Sequence, residues 1–186
     1  MTKTYIIAEC GLEHLGQIEM AKNLIRAASE ARADCVKFQL YSEDTAKKVD
    51  NGRGPLTKYR LGITTLSQLL DFCVHYCYGL GLNPHFLLSV FDMDSLITCK
   101  DMGLKSVKIP SVCNENMEML KYAKQNFRNY YVSSGIYAEN RPKGHFWWLL
   151  CTSAYPCRFE CVNLKCLPNY DGISDHTEGW EVPVAA

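Results

Sequence analysis

The chain has 186 residues, a 47% hydrophobic fraction, and 20 acidic residues balanced by 20 basic ones. That length fits a single domain, 1–186, and is short of the ~250 residues typical of a complete (β/α)8 barrel. The balanced charge favours neither nucleic acid nor an anionic membrane as a bulk partner, and no run approaches the ~20 apolar residues of a membrane helix.

Residues 1–5 lead straight into a first strand at 4–10, without the apolar core of a signal peptide, so a cytoplasmic location is expected. Residues 11–16 form a loop carrying Glu13 and His14. Ile18, Ala21, Leu24, Ile25 and Ala28 then recur at helical spacing. A second strand follows at 35–40. The polar stretch 42–63, with Gly52, Gly54 and Pro55, reads as a long loop of the kind that serves function. Leu66, Leu69, Leu70, Cys73, Val74 and Cys77 predict a second helix that stops near Gly79 or Gly81.

The third strand is expected at 84–91, a short helix at 92–102 with Gly103 as its stop, and the fourth strand at 106–111. A helix over 116–125 and a fifth strand at 130–134 come next. Residues 136–145 contain Pro142 and Gly144 and show no amphipathic pattern, although a parallel crossover normally carries a helix. A sixth strand at 146–150, a turn or two of helix at 163–167 and a short seventh strand at 172–176 complete the alternation. The expected fold class is α/β, an incomplete (β/α)8 barrel of about seven strands, with a doubly wound open sheet as the alternative.

Ten cysteines are scattered over strands, helices and loops, with no Cys-x-x-Cys pair. Reduced thiols serving as small core residues explain most of them. Cys157, Cys161 and Cys166, with His145, offer a zinc site as the alternative, although the spacing matches no common zinc pattern.

One pattern recurs along the chain. Apolar runs close on polar or charged residues at Ile7-Ala8-Glu9, Lys37-Phe38-Gln39, Lys108-Ile109-Pro110-Ser111, Val132-Ser133-Ser134-Gly135, Leu149-Leu150-Cys151-Thr152-Ser153 and Ile173-Ser174-Asp175-His176. Barrel chemistry sits at the C-terminal ends of strands. A lysine inside an apolar strand needs a partner: an anionic ligand, or a structural carboxylate. Glu9 reads either as a general base or as the cap of the following turn. His14 either contacts substrate or pins its own loop. His176 reads either as a satisfied structural residue or as a metal ligand steadied by a neighbouring carboxylate such as Asp175.

Taken in order, these segments resemble the N-acetylneuraminate (sialic acid) synthase family, which includes spore-coat polysaccharide proteins and other nonulosonate synthases. The matching stretches run from Ile6-Ile7-Ala8-Glu9-Cys10-Gly11 through Cys151-Thr152-Ser153-Ala154-Tyr155-Pro156 to Ser174-Asp175-His176-Thr177. The resemblance implies a barrel enzyme that condenses phosphoenolpyruvate with N-acetylmannosamine or a related N-acyl sugar and releases phosphate. It also implies a divalent metal, Mn2+ or Mg2+, that polarises the sugar aldehyde.

Residue by residue, the resemblance makes Glu9 the carboxylate that orients or deprotonates water. It makes Lys37, Ser89, Lys108, Ser111, Ser133, Ser153 and Ser174 phosphoenolpyruvate-binding residues. His14, Gln39 and Tyr155 fall on the sugar side, and His176 on the metal. A homodimer is compatible with the family pattern.

Four positions depart from that pattern: Glu13 in place of Asn, Val90 in place of Pro, Cys113 in place of an acidic residue and Leu150 in place of His. The eighth strand, the second metal histidine and a C-terminal antifreeze-like domain are also expected to be missing, which makes metal binding weak. The alternative function is therefore a catalytically inactive remnant, or a phospho-ligand-binding protein of the same fold.

Overall fold

The computed structural model describes residues 3–48, 56–81, 85–135 and 146–186. The chain divides into two compact units, Met1–Leu104 and Lys105–Ala186. The fold class is α/β of the (β/α)8-barrel type, with seven strands in chain order among the described residues.

The first unit contains β1 (Ile7–Gly11), α1 (Ile18–Glu30), β2 (Cys35–Leu40), α2 (Glu43–Lys48), a 3-10 turn at Leu56–Tyr59, α3 (Ile63–Gly79), β3 (His85–Val90) and α4 (Met93–Asp101). β1 pairs in parallel with β2, and β2 with β3. Register decides what faces where. Glu9 lies opposite Lys37, Lys37 opposite Leu87, and Gln39 opposite Ser89, so these five share one sheet face.

The alternate positions Val36, Phe38, Leu40, Phe86, Leu88 and Val90 form the other face, and all are buried. Each such side chain contributes roughly 1.5–3 kcal/mol on burial. Val90 is one of them, so the position where the resemblance implies Pro is a core contact here.

The two long helices follow the apolar spacing. Ala21, Ile25 and Ala28 line the buried side of α1, and Leu66, Leu69, Cys73 and Cys77 that of α3. The helices meet at Ser29, whose Oγ lies 3.1 Å from Cys77 Sγ. Arg26 stacks over Phe72 at 4.9 Å on the outer surface. Val74, expected on the apolar side, is exposed. The stretch expected to be a long loop holds α2 and the 3-10 turn. Ala46, Leu56 and Tyr41 make a small core there with Leu12, Tyr59 and Phe91, because four polar residues in a row can still turn one apolar side inward. Gly52, Gly54 and Pro55 lie outside the described residues.

The second unit contains β4 (Ser106–Ile109), a 3-10 turn at Ser111–Cys113, α5 (Met117–Asn126), β5 (Asn129–Ser133), β6 (Trp147–Leu150), 3-10 turns at Phe159–Cys161 and Leu164–Asn169, β7 (Gly172–Ile173) and α6 (Glu181–Ala185). β4, β5, β6 and β7 pair in parallel in that order. Lys108 lies opposite Tyr131, Ser133 opposite Leu149, and Leu149 opposite Gly172, which places Lys108, Tyr131, Ser133 and Leu149 on one face. Met119, Leu120 and Ala123 of α5 are buried.

β7 spans two residues rather than five: Asp175 turns back to accept hydrogen bonds from Thr177, which ends the ladder. α6 was not anticipated, because Val182 alone of its five residues is buried and so leaves no periodic signal. The expectation for 136–145 falls outside the described residues. No helix among those described is long and apolar enough to cross a membrane.

All ten cysteines are free. Burial pushes the Cys10 thiol up to about 11 and the Cys35 and Cys99 thiols up to about 12, as befits inert packing groups. No three His, Cys, Asp or Glu side chains gather to hold a metal among the described residues. Cys157, Cys161 and Cys166 therefore form no such group by themselves, and His145 lies outside the described residues.

Candidate functional site

In the first unit the site starts with a carboxylate and an ammonium on neighbouring strands. Lys37 Nζ forms an ion pair with Glu9 Oε2, and the Gly11 N–H donates to Glu9 Oε1 at 2.7 Å. Lys37 is 6% exposed, while the Glu9 side chain is 44% exposed. The lysine is thus held inside while the carboxylate stays reachable at the strand end. Gly11 takes a left-handed φ of +34°, which folds its N–H back onto the carboxylate it follows. A Cβ at Gly11 would lie 3.7 Å from Gln39 Nε2, so Gln39 borders the same corner. Ser89 is buried beside Gln39 on this face.

His14 sits elsewhere. Its ring packs against Phe38, 5.9 Å between centroids, and Phe38 leaves β2 on the face opposite Lys37. Its Nδ1 accepts from the Gly16 N–H at 3.0 Å. Burial lowers its pKa, so the ring is neutral, and its remaining nitrogen carries the proton. The loop-pinning reading accounts for every recorded contact of this residue.

In the second unit Lys108 is 6% exposed, and its Nζ donates to Ser174 Oγ at 3.3 Å. Desolvation lowers its pKa, with the Cys151 sulfur as its charge neighbour. No carboxylate pairs with it among the described residues. Ser133, on the same face, is fully buried, and its hydroxyl has no hydrogen-bond partner there. A buried cation without a counter-charge and a buried hydroxyl without a partner both carry a cost that an anionic ligand would remove.

Next to them lies a hydroxyl pair. Ser153 Oγ and Ser111 Oγ are 2.6 Å apart. Gly135, at φ +67°, lets them approach: a Cβ there would stand 3.0 Å from Ser153 Oγ and 3.1 Å from Ser111 Cβ. Ser134 ties the strand ends together. Its backbone N–H donates to the Leu149 carbonyl at 2.9 Å, its Oγ accepts from the Cys151 N–H at 3.2 Å, and its carbonyl accepts from the Asn114 side chain.

Asn114 and Ser134 are site residues that the sequence reading missed. Of two adjacent serines after a strand, only one can face the lysine. The other is free for structural use, and that was the available signal. Asn114 gave none, because its role depends on a contact twenty residues away.

His176 is half-buried, and its ring lies against that of Tyr155 with centroids 4.0 Å apart. Its Nδ1–H donates to the Thr152 carbonyl at 3.0 Å, and Nε2 lies 4.0 Å from Cys151 Sγ. The carboxylate expected to steady it is engaged elsewhere: Asp175 accepts from the Thr177 N–H and hydroxyl. A backbone carbonyl takes that place and fixes the tautomer in which Nε2 carries the lone pair. An ion at Nε2 thus meets an imidazole and a thiol, with water and substrate oxygens left to complete its shell.

Leu150 faces away from Lys108 by strand register, with Ile173 as its partner. The second unit therefore brings Lys108, Ser133 and Ser174 together, then Ser111 with Ser153, then Tyr155 with His176. The first unit brings together Glu9, Lys37 and Gln39.

Known proteins resemble this chain in sequence and in fold. The sequence matches the NeuB family over residues 24–186. It is 33% identical to the N,N'-diacetyllegionaminic acid synthase of Campylobacter jejuni, covering 100% of this chain and 64% of that protein. It is 29% identical to the human N-acetylneuraminate-9-phosphate synthase, covering 98% of this chain and 58% of that one.

The chain thus spans roughly three fifths of the length of these relatives. The crystal structure of a sialic acid synthetase from Leptospira borgpetersenii superposes with a TM-score of 0.83 over 99% of this chain and 69% of that one, at 24% identity. The Bacillus subtilis spore-coat polysaccharide protein SpsE superposes with a TM-score of 0.71 over 100% of this chain and 56% of that one, at 26% identity. A family match over most of the sequence, on a fold whose strand ends carry the residues described above, leads to one conclusion: the chain belongs to the NeuB family.

Proposed function

We propose that this chain binds phosphoenolpyruvate for the condensation that makes a sialic-acid-type nonulosonate from an N-acyl sugar such as N-acetylmannosamine. The observation that carries the reading is Lys108: an ammonium buried in the second unit with a serine hydroxyl, rather than a carboxylate, as its recorded partner. Phosphoenolpyruvate is a small anion with one carboxylate and one phosphate group, and it supplies what Lys108 and Ser133 lack. Ser111, Ser153 and Ser174 add hydroxyl donors; in the first unit, Lys37 and Ser89 stand at positions to which the family resemblance gives phosphoenolpyruvate binding.

In the reaction water adds to the enol phosphate, the enol carbon joins the sugar aldehyde, and phosphate leaves. Glu9 is the residue that orients or deprotonates the water, and Lys37 holds its carboxylate in place. His14, Gln39 and Tyr155 are the candidates for the sugar side, with His14 acting through the loop it pins. A divalent ion held at His176 would supply polarisation of the aldehyde. The reaction is one of the cytoplasm, and neither nucleic acid nor membrane takes part.

Calorimetric titration with phosphoenolpyruvate tests the reading. We expect saturable binding that weakens at least ~10-fold in Lys108→Ala and is retained in Glu9→Gln. Phosphate release in the presence of Mn2+ and N-acetylmannosamine should be lost in Glu9→Gln. An affinity unchanged by Lys108→Ala removes the proposal.

A second reading, a binding protein without turnover, is favoured by one observation: Leu150, which faces away from Lys108, stands where the family resemblance implies a histidine. It predicts the same titration with no phosphate released.

A further inference from the structure

We propose that Lys108 is also a nucleophile, whose side-chain nitrogen condenses with the ketone of a small 2-oxo acid of the pyruvate type to form an imine. A lysine becomes nucleophilic when it is desolvated and no carboxylate holds its charge. Lys108 meets both conditions. It is 6% exposed, its Nζ donates to Ser174 Oγ at 3.3 Å, and no carboxylate pairs with it among the described residues. Burial favours its uncharged amine over the ammonium, with the Cys151 sulfur as the opposing influence. Lys37, buried as deeply, is the contrast, because Glu9 answers its charge.

The neighbours suit the reaction. Ser133, on the same sheet face, is fully buried, and its hydroxyl has no hydrogen-bond partner among the described residues. A ligand oxygen would satisfy it. Ser174 is half-buried, so the amine is approached from its side, and its hydroxyl stands within reach of Nζ to pass a proton.

The lysine nitrogen bonds to C2 of the acid, and the C2 oxygen leaves as water with the two amine protons. A proton from solvent then converts the imine to its iminium, and no electron is transferred. The iminium places a positive charge at a buried position. A 2-oxo acid carries its carboxylate on the carbon next to that charge, so it brings its own counter-ion. A neutral ketone does not, which selects the acid.

The imine rests on the synthase reading in one respect, that the Lys108 pocket admits a small carboxylate anion. Phosphoenolpyruvate has no ketone and cannot condense, so different ligands test the two.

The test is to incubate the full chain with pyruvate and cyanoborohydride at pH 7, then to weigh and map the product. Hydride adds to C2 and fixes the adduct as a secondary amine, so the chain gains one pyruvic acid less one oxygen atom. An alkylated Lys108 resists trypsin, which leaves residues 106–121 as one peptide. We expect that peptide to be labelled saturably, at one adduct per chain. Acetone should give at least ~10-fold less label, and Lys108→Arg, which keeps the charge without the nucleophile, should give none.

Circular dichroism checks the fold of the variant, and the wild-type map decides the matter if Lys108→Arg does not fold. Complete cleavage after Lys108, label spread over the peptides of exposed lysines, label that never saturates, or equal label from acetone overturns the proposal. Excess phosphoenolpyruvate should suppress the label. A Lys108 adduct that phosphoenolpyruvate leaves unchanged keeps the imine and breaks the synthase reading. Saturable phosphoenolpyruvate binding without any adduct keeps that reading and ends the imine.

Discussion

The two units treat a strand lysine in opposite ways. In the first, Lys37 is buried and joined to Glu9, whose other oxygen holds the Gly11 N–H. In the second, Lys108 is buried to the same extent, and its recorded partner is a hydroxyl. The first arrangement is self-sufficient: the charge is answered within the fold, and the lysine orients a carboxylate. The second is incomplete among the described residues: a desolvated cation stands there without a carboxylate counter-ion. Equal burial therefore does not mean equal purpose; the partner decides it.

Four measurements sharpen or break this comparison. The largest effect is expected at the glycines that shape each site. Gly135→Ala should cost about 3 kcal/mol, because its φ of +67° is strained for alanine and the new Cβ would crowd Ser153 Oγ and Ser111 Cβ. Gly11→Ala should cost less, since its nearest neighbour would be Glu9 Oε1 at 3.4 Å. Urea denaturation of both variants gives the order, and a reversed order would mean that the hydroxyl pair is loosely held.

Lys37→Met comes next. It strands Glu9 without its cation and should destabilise by about 2 kcal/mol, less than a fully buried pair would lose because Glu9 is nearly half exposed.

Lys108→Met should do the reverse, raising stability by about 1 kcal/mol at pH 7 while removing phosphoenolpyruvate affinity. The sign follows from linkage. Burial puts the Lys108 pKa below that of the unfolded chain, so the folded state binds fewer protons there. The penalty on the wild type is complete below the folded-state pKa and fades as pH rises through it towards the unfolded value near ~10.4. The gap between Lys108→Met and wild type should narrow over that range. A melting temperature lowered by Lys108→Met at pH 7 would show that the lysine has an internal partner after all.

The smallest effect concerns two helix N-caps, one in each unit. Asp92 accepts from the Ser95 N–H at 2.8 Å, and Asn116 from the Met119 N–H at 3.1 Å. Each should cost about 1 kcal/mol on replacement by alanine. Burial works to raise the Asp92 pKa, but hydrogen bonds from Ser95, Ser42 and Thr45 outweigh it and bring it to about 2. Its contribution is therefore present above ~3.9, the unfolded value, and is lost as pH falls through about 2. Asp92→Asn should abolish that acid dependence in the first unit. Asn116→Ala should cost the same at every pH, because an amide does not titrate in this range. Chemical denaturation between pH 2 and pH 7 separates the two.

Much of this was legible in the residues. β2 spans 35–40 both as read and as observed, because Val36, Phe38 and Leu40 alternate with Lys37 and Gln39 and put their apolar side chains on one face of a parallel sheet. The two long helices were expected from apolar spacing over 18–28 and 66–77, with a stop near Gly79 or Gly81 for the second, and Asp92 and Asn116 marked the starts of two others. The polar strand ends pointed to the site, and the order of their motifs pointed to the family. Periodicity and local hydrogen-bond chemistry are properties of neighbours in the chain, so a sequence states them outright.

What needed the tertiary structure is whatever depends on a partner far along the chain. Whether Lys37 or Lys108 meets a carboxylate is decided by strand register, across 28 residues in one case and 66 in the other. Register likewise put Phe38, the ring that meets His14, on the face opposite Lys37 and paired Leu150 with Ile173. The pairing of Asp175 with Thr177, which left His176 to the Thr152 carbonyl, arose from a turn that composition does not announce. A side chain's type is written in the sequence; the group that satisfies it is chosen only when the strands align.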